Sequence, residues 1–143
     1  MKDNQITRCG VGVLIMQDEK ILLGKRRGSF AAGSYGSGGG HLDFGESCKD
    51  AVVREIREEA GVELKDLEFL CVSNFIIESK HYIDISFTAK IKSGEPQVME
   101  PEKLDDWDWY DINNPPAPLL GCVANYLDAL KTGRKFFDLN ENE

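Results

Sequence analysis

Residues 40–62 read Gly-His-Leu-Asp-Phe-Gly-Glu-Ser-Cys-Lys-Asp-Ala-Val-Val-Arg-Glu-Ile-Arg-Glu-Glu-Ala-Gly-Val. It predicts a helix that begins near Ser47, because Ser47 and Asp50 have the spacing of a capping box with aspartate in place of glutamate. Gly61 suits the position that follows the last turn of a helix. A glycine-containing segment therefore leads into a single helix.

Three glutamates share one face of this predicted helix. Glu55, Glu58 and Glu59 fall within an arc of about 100°, because residues three and four positions apart face the same side. Like charges this close destabilise a helix unless a positive charge lies among them. Mg²⁺ and Mn²⁺ prefer carboxylate and carbonyl oxygens and are often completed by substrate phosphates. The spacing favours a divalent metal site, with an acidic solvated face as the alternative.

An apolar face lies beside the acidic face of the same helix. Its members stand at helical spacing and are Val52, Val53, Ile56 and Ala60. Such a face packs on a hydrophobic core. The carboxylates are therefore expected to face a cleft.

The charged residues and glycines of this stretch recur at a distinctive spacing: Gly40, Glu46, Arg54-Glu55-Ile56, Glu58-Glu59 and Gly61-Val62. The pattern resembles the signature of the Nudix hydrolases at every specified position. The resemblance extends over residues 10–132. It implies an α/β fold, the Nudix-type α/β/α sandwich with a mixed β-sheet between helices. It also implies cleavage of a pyrophosphate linkage in a nucleoside diphosphate that is joined to another group.

The resemblance assigns roles to residues of the signature. The carboxylates that match its metal ligands are Glu55, Glu58 and Glu59, and the expected metal is Mg²⁺ with Mn²⁺ as a substitute. Arg54 matches an arginine that orients a glutamate, expected to be Glu58 or Glu59. Gly39 or Gly40 is expected to offer a backbone carbonyl to the metal.

Three further glutamates lie outside the group of expected metal ligands. Glu46 is expected to hold the loop to the helix, with a role as metal ligand as the alternative. In many relatives a glutamate outside the signature contributes to catalysis. Glu100 and Glu102, in the segment Met-Glu-Pro-Glu-Lys, are candidates for the general base. The alternative for both is a solvated turn.

Residues 26–39 are rich in glycine and follow no helical or strand period, which predicts a long functional loop. Three cations at its start, Lys25, Arg26 and Arg27, are candidates to bind a phosphate. The alternative is a surface loop with incidental basic residues. Candidates for the contact with the nucleobase are Phe30, Tyr35, Leu119, Leu120 and Gly121, where core packing is the alternative.

The sequence outside the signature is most similar to the small MutT-like subgroup, which converts nucleoside triphosphates to monophosphates and pyrophosphate. The expected substrates are deoxynucleotides, including oxidised or modified purines, which is the chemistry of nucleotide pool sanitation. One alternative is a diphosphatase for ADP-ribose or a nucleotide sugar. Another is a Nudix-like domain that senses a nucleotide without cleaving it. Relatives usually have a proline before the two glycines, where this chain has Gly36-Ser37-Gly38-Gly39-Gly40.

Length and composition predict a single globular domain over residues 1–143, with loosely ordered ends at 1–6 and 134–143. The chain is 41% hydrophobic and 29% charged, with a net charge of −8. An acidic chain without a basic stripe is unsuited to binding a long nucleic acid. The expected partner is a small nucleotide, and the resemblance leaves a homodimer open because small relatives often pair.

The cysteines and termini predict a cytoplasmic protein. Four scattered cysteines, with no Cys-x-x-Cys pair, indicate thiols in a reducing compartment rather than a disulfide framework or a zinc site. The first seven residues lack the apolar region of a signal peptide, and no run is long enough to span a bilayer. No membrane association is therefore expected.

The periodicity of the rest of the chain predicts five strands and a second helix near the end. Apolar, β-branched or alternating runs mark strands at 7–16, 20–25, 67–75, 82–91 and 106–110. Apolar residues at helical spacing predict a helix over 119–132.

Overall fold

The computed structural model describes residues 5–28 and 31–139, which form a mixed β-sheet between two helices. In chain order the elements are β1 (Thr7–Gln17), β2 (Lys20–Arg26), β3 (Tyr35–Gly36), β4 (Gly38–His41), α1 (Cys48–Ala60), β5 (Glu63–Ile77), β6 (Lys80–Ser93), β7 (Leu104–Asp111), α2 (Val123–Thr132) and β8 (Phe136–Phe137).

The sheet is built around β1. Its strand order is β3-β2-β1-β6-β5-β8, with β4 also paired to β1 and β7 to β2. β1 and β6 run parallel, from the pair Thr7 and His81 to the pair Ile15 and Ala89. β4 runs antiparallel to β1, with Gly12 opposite Gly39. The glycines that precede α1 therefore form an edge beside the central strand.

Two hydrophobic clusters cover the two faces of the sheet, because successive strand residues point to opposite sides. Val11 and Val13 of β1 pack with Ile56 of α1. Leu14 packs on the other face with Tyr126 of α2. One helix thus lies on each face, which confirms the predicted α/β/α sandwich with a mixed sheet.

Helix α1 has the predicted ends. The Ser47 side-chain oxygen accepts the Asp50 N–H at 3.1 Å, which satisfies one of the free donors of the first turn. Gly61 has a φ of 69°, and its N–H donates to the Arg57 carbonyl. A left-handed residue at this position is the usual helix stop.

The prediction of a loop without regular structure over residues 26–39 was wrong in its second half. Lys25 and Gly24 of β2 pair with Tyr35 and Gly36 of β3, and β4 begins at Gly38. Glycines carry no side chains that could alternate between apolar and polar, so the sequence pattern gave no strand signal.

Two boundaries near the end of the chain also differ from prediction. The last helix begins at Val123 rather than at residue 119, because Leu120 donates its N–H to the Tyr35 carbonyl at 2.8 Å instead of starting a helix. Residues 134–139 were expected to be loosely ordered, yet Phe137 is buried and its strand pairs with β5. Burial of an aromatic ring stabilises this pairing.

Within the described residues, both helices fall short of the length and hydropathy that a transmembrane span requires.

Candidate active site

The site forms where β4 passes over α1, and the three glycines of β4 make this close approach possible. A Cβ atom at Gly38 would overlap the Ile56 side chain, and one at Gly40 would overlap the Glu55 carboxylate. At Gly39 a Cβ would overlap the backbone of Val11. Only glycine leaves room on both sides of this strand, so the backbone of β4 lies directly against the acidic face of α1.

Glu59 is the most deeply buried carboxylate of the acidic face. Its Oε1 accepts the Gly39 N–H at 3.0 Å. Burial raises the pKa of Glu59 to about 8, while the Gly39 hydrogen bond lowers it and the Glu55 and Glu100 charges raise it. Removing a carboxylate from water disfavours its charged form. Glu59 would therefore be stabilised by a cation.

The carbonyl of Gly39 lies on the same side of β4 as its N–H. Paired antiparallel residues either exchange both of their backbone hydrogen bonds or neither. Gly39 stands opposite Gly12, but its N–H goes to Glu59 rather than to β1. The Gly39 carbonyl therefore faces the α1 side of the strand, as a backbone metal ligand would have to.

Arg54 organises the carboxylates at the start of the site. Its guanidinium donates to both oxygens of Glu46, at 2.8 and 3.0 Å, and to Glu55 Oε1 at 2.8 Å. It also donates to the carbonyl of His41 at 3.1 Å. This fork of donors holds the loop, the helix and one candidate metal ligand in a single arrangement.

The arginine was expected to orient Glu58 or Glu59, and the structure has Glu58 within ion-pair distance of it but Glu55 closer. Its close partner is Glu55, while Glu58 Oε2 lies 3.6 Å away and no contact with Glu59 occurs among the ion pairs of the described chain. Arg54 and Glu59 leave different sides of α1. The Arg54 guanidinium therefore reaches the Glu55 carboxylate more easily than the Glu59 carboxylate.

Glu46 has the contacts of a residue that holds the loop to the helix. Besides Arg54, it accepts the Asp43 N–H at 3.1 Å. The hydrogen bond from Arg54 is the main cause that lowers the pKa of Glu46. Both oxygens of Glu46 are thus used in contacts with Arg54, whereas Glu55 gives only one oxygen to the same arginine.

The remaining carboxylates fit a hard divalent cation. Burial raises the pKa of Glu55, and the Glu58 and Glu100 charges add to the rise. In residues 5–28 and 31–139, no three Asp, Glu, His or Cys side chains lie together in a way that could hold a metal ion by themselves. Mg²⁺ commonly takes one or two carboxylates together with water and substrate phosphates. The donors are all oxygen atoms, so they fit such an open site.

Two adjoining cavities open beside these carboxylates. The first, here termed the Glu59 cleft, is lined by Arg26, Gly36, Ser37, Glu59, Glu100, Lys103, Leu104, Trp107 and Leu120. The second, termed the Asp84 cavity, has a volume of about 390 Å³ and shares Arg26, Gly36, Ser37, Glu59 and Leu120 with the cleft. A ligand that extends from one to the other would pass Glu59.

The structure separates the predicted substrate-binding residues into two groups. Arg26 and Leu120 line both cavities, and Gly39 and Gly121 line the Asp84 cavity. Lys25 does not line either cavity. Phe30 lies outside the described residues.

Arg27 and Tyr35 also lie outside the walls of these two cavities. Arg27 is paired with Asp105 at 3.5 Å on the surface. The Tyr35 ring packs edge-on against Tyr110, with 5.6 Å between ring centroids. The backbone of Tyr35 nevertheless positions Leu120, so its effect on the site is indirect.

The two candidates for the general base differ in position. Glu100 lines the Glu59 cleft, and its charge acts on both Glu55 and Glu59. Its carboxylate also lies 3.4 Å from the Lys103 ammonium. Glu102 is exposed and lines neither cavity. Of the two, only Glu100 faces the candidate metal ligands.

Sequence reasoning missed Asp84 and Tyr126. Asp84 lies on the alternating strand β6, where a polar residue is expected to face solvent. β6 is instead an inner strand of the sheet, flanked by β1 and β5 and covered on both faces. Tyr126 is one of the residues at helical spacing in the last helix, a pattern that indicates only core packing. The parallel pairing of β1 with β6 buries Asp84, while Tyr126 is buried in the cluster between α2 and the sheet. No local sequence pattern predicts either contact.

The chain is similar to known proteins over most of its length. A NUDIX domain model matches residues 7–128. The NAD-capped RNA hydrolase NudC of Pseudomonas putida is 34% identical over 124 residues, which cover 86% of this chain and 44% of that protein. The chain thus spans less than half the length of this curated relative.

Two solved structures are similar over most of the chain. The MutT NUDIX hydrolase from Burkholderia pseudomallei has a TM-score of 0.83 and 34% identity, covering 88% of this chain and 99% of that one. A UDP-X diphosphatase has a TM-score of 0.73 and 25% identity, covering 93% and 67%. Together with the family match and the glutamate helix, they confirm the resemblance found in the signature. The chain belongs to the NUDIX domain family.

Proposed function

We propose that this chain hydrolyses nucleoside triphosphates to a nucleoside monophosphate and pyrophosphate, by attack of water on phosphorus. The deoxynucleotides are the expected substrates, including oxidised or modified purines. The observation that carries the proposal is the meeting of three features: the half-buried Glu59 carboxylate, the Gly39 backbone and an adjoining cavity large enough for a nucleoside. Ligand pockets typically measure about 300–1,000 Å³, and the Asp84 cavity falls within this range.

The charges of the Glu59 cleft suit a polyphosphate that enters with its own metal. Arg26 and Lys103 contribute positive charge to the cleft that Glu59 and Glu100 also line. Nudix hydrolases generally use a divalent metal. Here Glu55, Glu58, Glu59 and the Gly39 carbonyl would hold Mg²⁺, with Mn²⁺ as a substitute. When bound, such an ion neutralises phosphate charge and orients the phosphates for in-line attack.

The chain's own residues have separate tasks in this proposal. Arg54 keeps the Glu55 carboxylate in place, and Arg26 draws phosphate oxygens toward the cleft. Glu100 accepts the proton of the attacking water, because it is the carboxylate of the cleft that lies outside the helix. A water positioned between Glu100 and the substrate phosphorus is thereby activated as a nucleophile.

A second candidate function is the cleavage of a dinucleotide-like diphosphate such as ADP-ribose or a nucleotide sugar. The observation that favours it is a stack of three rings along the wall of the Asp84 cavity, in which Tyr82 lies between His41 and Phe75. A second flat or sugar-bearing group could rest on this wall. The net charge of −8 argues against an extended RNA as substrate.

A panel of substrates separates the two functions. The purified chain is incubated with each deoxynucleoside triphosphate, ADP-ribose, NAD and UDP-glucose, in Mg²⁺ and separately in Mn²⁺. We expect pyrophosphate from triphosphates, no orthophosphate, and complete loss of turnover in EDTA that added Mg²⁺ restores. Release of ribose 5-phosphate from ADP-ribose at a higher kcat/KM than any triphosphate would replace the first function by the second. Binding of nucleotides without turnover would indicate a nucleotide sensor.

The general base can be tested with two neighbouring glutamates. We expect Glu100→Gln to lower kcat by about 100-fold, since loss of general base catalysis typically costs 10²–10⁴-fold. Glu102→Gln is the matched control because it has the same chemistry on the same turn but faces away from the cleft, and its kcat should stay within about threefold. If kcat of Glu100→Gln also stays within about threefold, Glu100 is not the base.

The cellular setting belongs to the same proposal. In this proposal the enzyme acts in the cytoplasm, where it removes damaged nucleotides or sets the level of an ordinary one. A homodimer is part of the proposal, and light scattering of the purified chain would test it.

A further inference from the structure

Asp84 is a buried carboxylate that the proposed reaction does not use. It is only 8% exposed, lies in the middle of β6 and lines the Asp84 cavity, which is named after it. The Tyr126 hydroxyl donates to its Oδ2 at 2.5 Å. Tyr126 is itself buried on α2, and its hydrogen bond fixes the orientation of the Asp84 carboxylate. Asp84 thus has a defined orientation at the inner end of the cavity.

The carboxylate has fewer hydrogen-bond donors than its burial requires. Among the described residues, Tyr126 is the only group that donates to it. An ionised carboxylate has about four acceptor sites, and leaving such a group under-satisfied in a buried place costs free energy. Accordingly, burial raises the pKa of Asp84 to about 6, against the lowering effect of Tyr126. Native proteins retain such groups where a ligand supplies the missing donors.

Two glycines lie beside Asp84 and line the same cavity. A Cβ atom on Gly12 would collide with the Tyr126 hydroxyl, so this glycine makes room for the group that orients the carboxylate. A Cβ atom on Gly10 would lie 3.8 Å from Asp84 Oδ1. The absence of a side chain at Gly10 therefore leaves this oxygen uncovered on the side of β1.

The walls of the cavity suit a flat ring. Phe75 and Tyr82 stack on each other, with 5.6 Å between centroids and 22° between planes, and Leu120 lies on the wall shared with the Glu59 cleft. Aromatic and apolar side chains bind the faces of a base, while hydrogen bonds read its edge. Asp84 is the carboxylate at the inner end of this cavity that could form hydrogen bonds with the edge of a base.

We infer that Asp84 determines base specificity by accepting two hydrogen bonds from the edge of a guanine-type base. This inference rests on the proposed nucleotide hydrolysis. Guanine presents two adjacent donors, N1–H and the 2-amino group, which match the two oxygens of a carboxylate. Such charge-assisted paired hydrogen bonds are stronger and more directional than neutral ones.

Other bases fit a carboxylate less well. Hypoxanthine keeps N1–H but lacks the 2-amino group. Adenine and cytosine place a ring nitrogen acceptor beside their amino group, and thymine flanks its N3–H with two carbonyl acceptors. An acceptor that faces the carboxylate is repelled and leaves buried polar groups unpaired, which is a strong basis for discrimination.

The test compares guanine with hypoxanthine, which differ at this edge by one amino group. We measure kcat/KM for dGTP and dITP, and separately the Kd of dGMP and dIMP without metal. The wild type should prefer the guanine compound at least 10-fold in both measurements. In Asp84→Asn, whose amide offers only one acceptor oxygen, the preference should fall to about threefold or less. Asp66→Asn, an exposed aspartate on β5, is the matched control and should keep the wild-type ratio.

Tyr126→Phe is a second variant that keeps the carboxylate but removes the hydroxyl that orients it. We expect its guanine preference to fall severalfold, and thermal melting checks that each variant is folded. An unchanged preference in both Asp84→Asn and Tyr126→Phe, or a wild type that binds dIMP as tightly as dGMP, overturns the inference. Because the Kd measurement needs no turnover, guanine binding without triphosphate hydrolysis would refute the proposed function alone.

Discussion

Replacing Glu59 by glutamine is expected to lower kcat by about 10²–10³-fold, the range seen when one preorganised electrostatic group of a site is removed. Glutamine has nearly the same volume, and its amide oxygen can still accept the Gly39 N–H. The fold should therefore survive. What disappears is the negative charge that would bind a cation beside the Glu55 carboxylate. Pyrophosphate release at saturating substrate measures the effect.

Glu63→Gln is the matched control for this experiment. Glu63 follows α1 directly and accepts two hydrogen bonds from Arg57, both at 2.7 Å, on the surface. Its loss should leave kcat within about twofold, since surface ion pairs contribute little. A kcat of Glu59→Gln within about threefold of wild type would show that the buried carboxylate has no role in turnover.

Replacing Arg54 by glutamine should lower kcat/KM by about 10–100-fold, the usual cost of losing a residue that orients a metal ligand. The side chain has only 28% of its surface exposed and bonds Glu46, Glu55 and the His41 carbonyl. The variant should also lose about 1–3 kcal/mol of unfolding free energy, because several charged partners lose their donors together. Denaturant unfolding and steady-state kinetics measure the two effects.

Arg57→Gln separates this role from the general effect of removing an arginine from α1. Arg57 lies three residues further along the helix and also forms a two-bond pair, but it is 57% exposed and its side chain, among the described residues, bonds only Glu63. We expect less than about 1 kcal/mol of destabilisation and no change in kcat/KM. Equal losses in the two variants would contradict a positioning role for Arg54.

The helix and its caps could be predicted from sequence because their determinants are local. The spacing of Ser47 and Asp50 and the position of Gly61 act within one or two turns, and the structure has both caps as expected. The common face of Glu55 and Glu59 follows from helix geometry alone. The family signature lies in the same local stretch, so fold and family were accessible together.

The different environments of the glutamates could not be predicted, because they depend on contacts between distant elements. Glu58 and Glu59 are adjacent in sequence, yet Glu58 has 56% of its side chain exposed while Glu59 lies against Gly39. The difference is set by β4, whose glycines gave no strand signal. Asp84 was missed for a related reason, since the pairing of β1 with β6 joins residues about 74 positions apart along the chain.

The positions that hold the candidate metal ligands differ from those that border the Asp84 cavity, and this difference can be used to engineer ligand binding. A side chain at Gly38 or Gly40 would displace the Ile56 or the Glu55 side chain, so randomising these two positions would disturb the acidic face of α1. Ser37 and Leu120 border the same space from other segments and carry no charge. Combinatorial libraries at these two positions can therefore be screened for new ligands while Glu55, Glu59 and Gly39 stay unchanged.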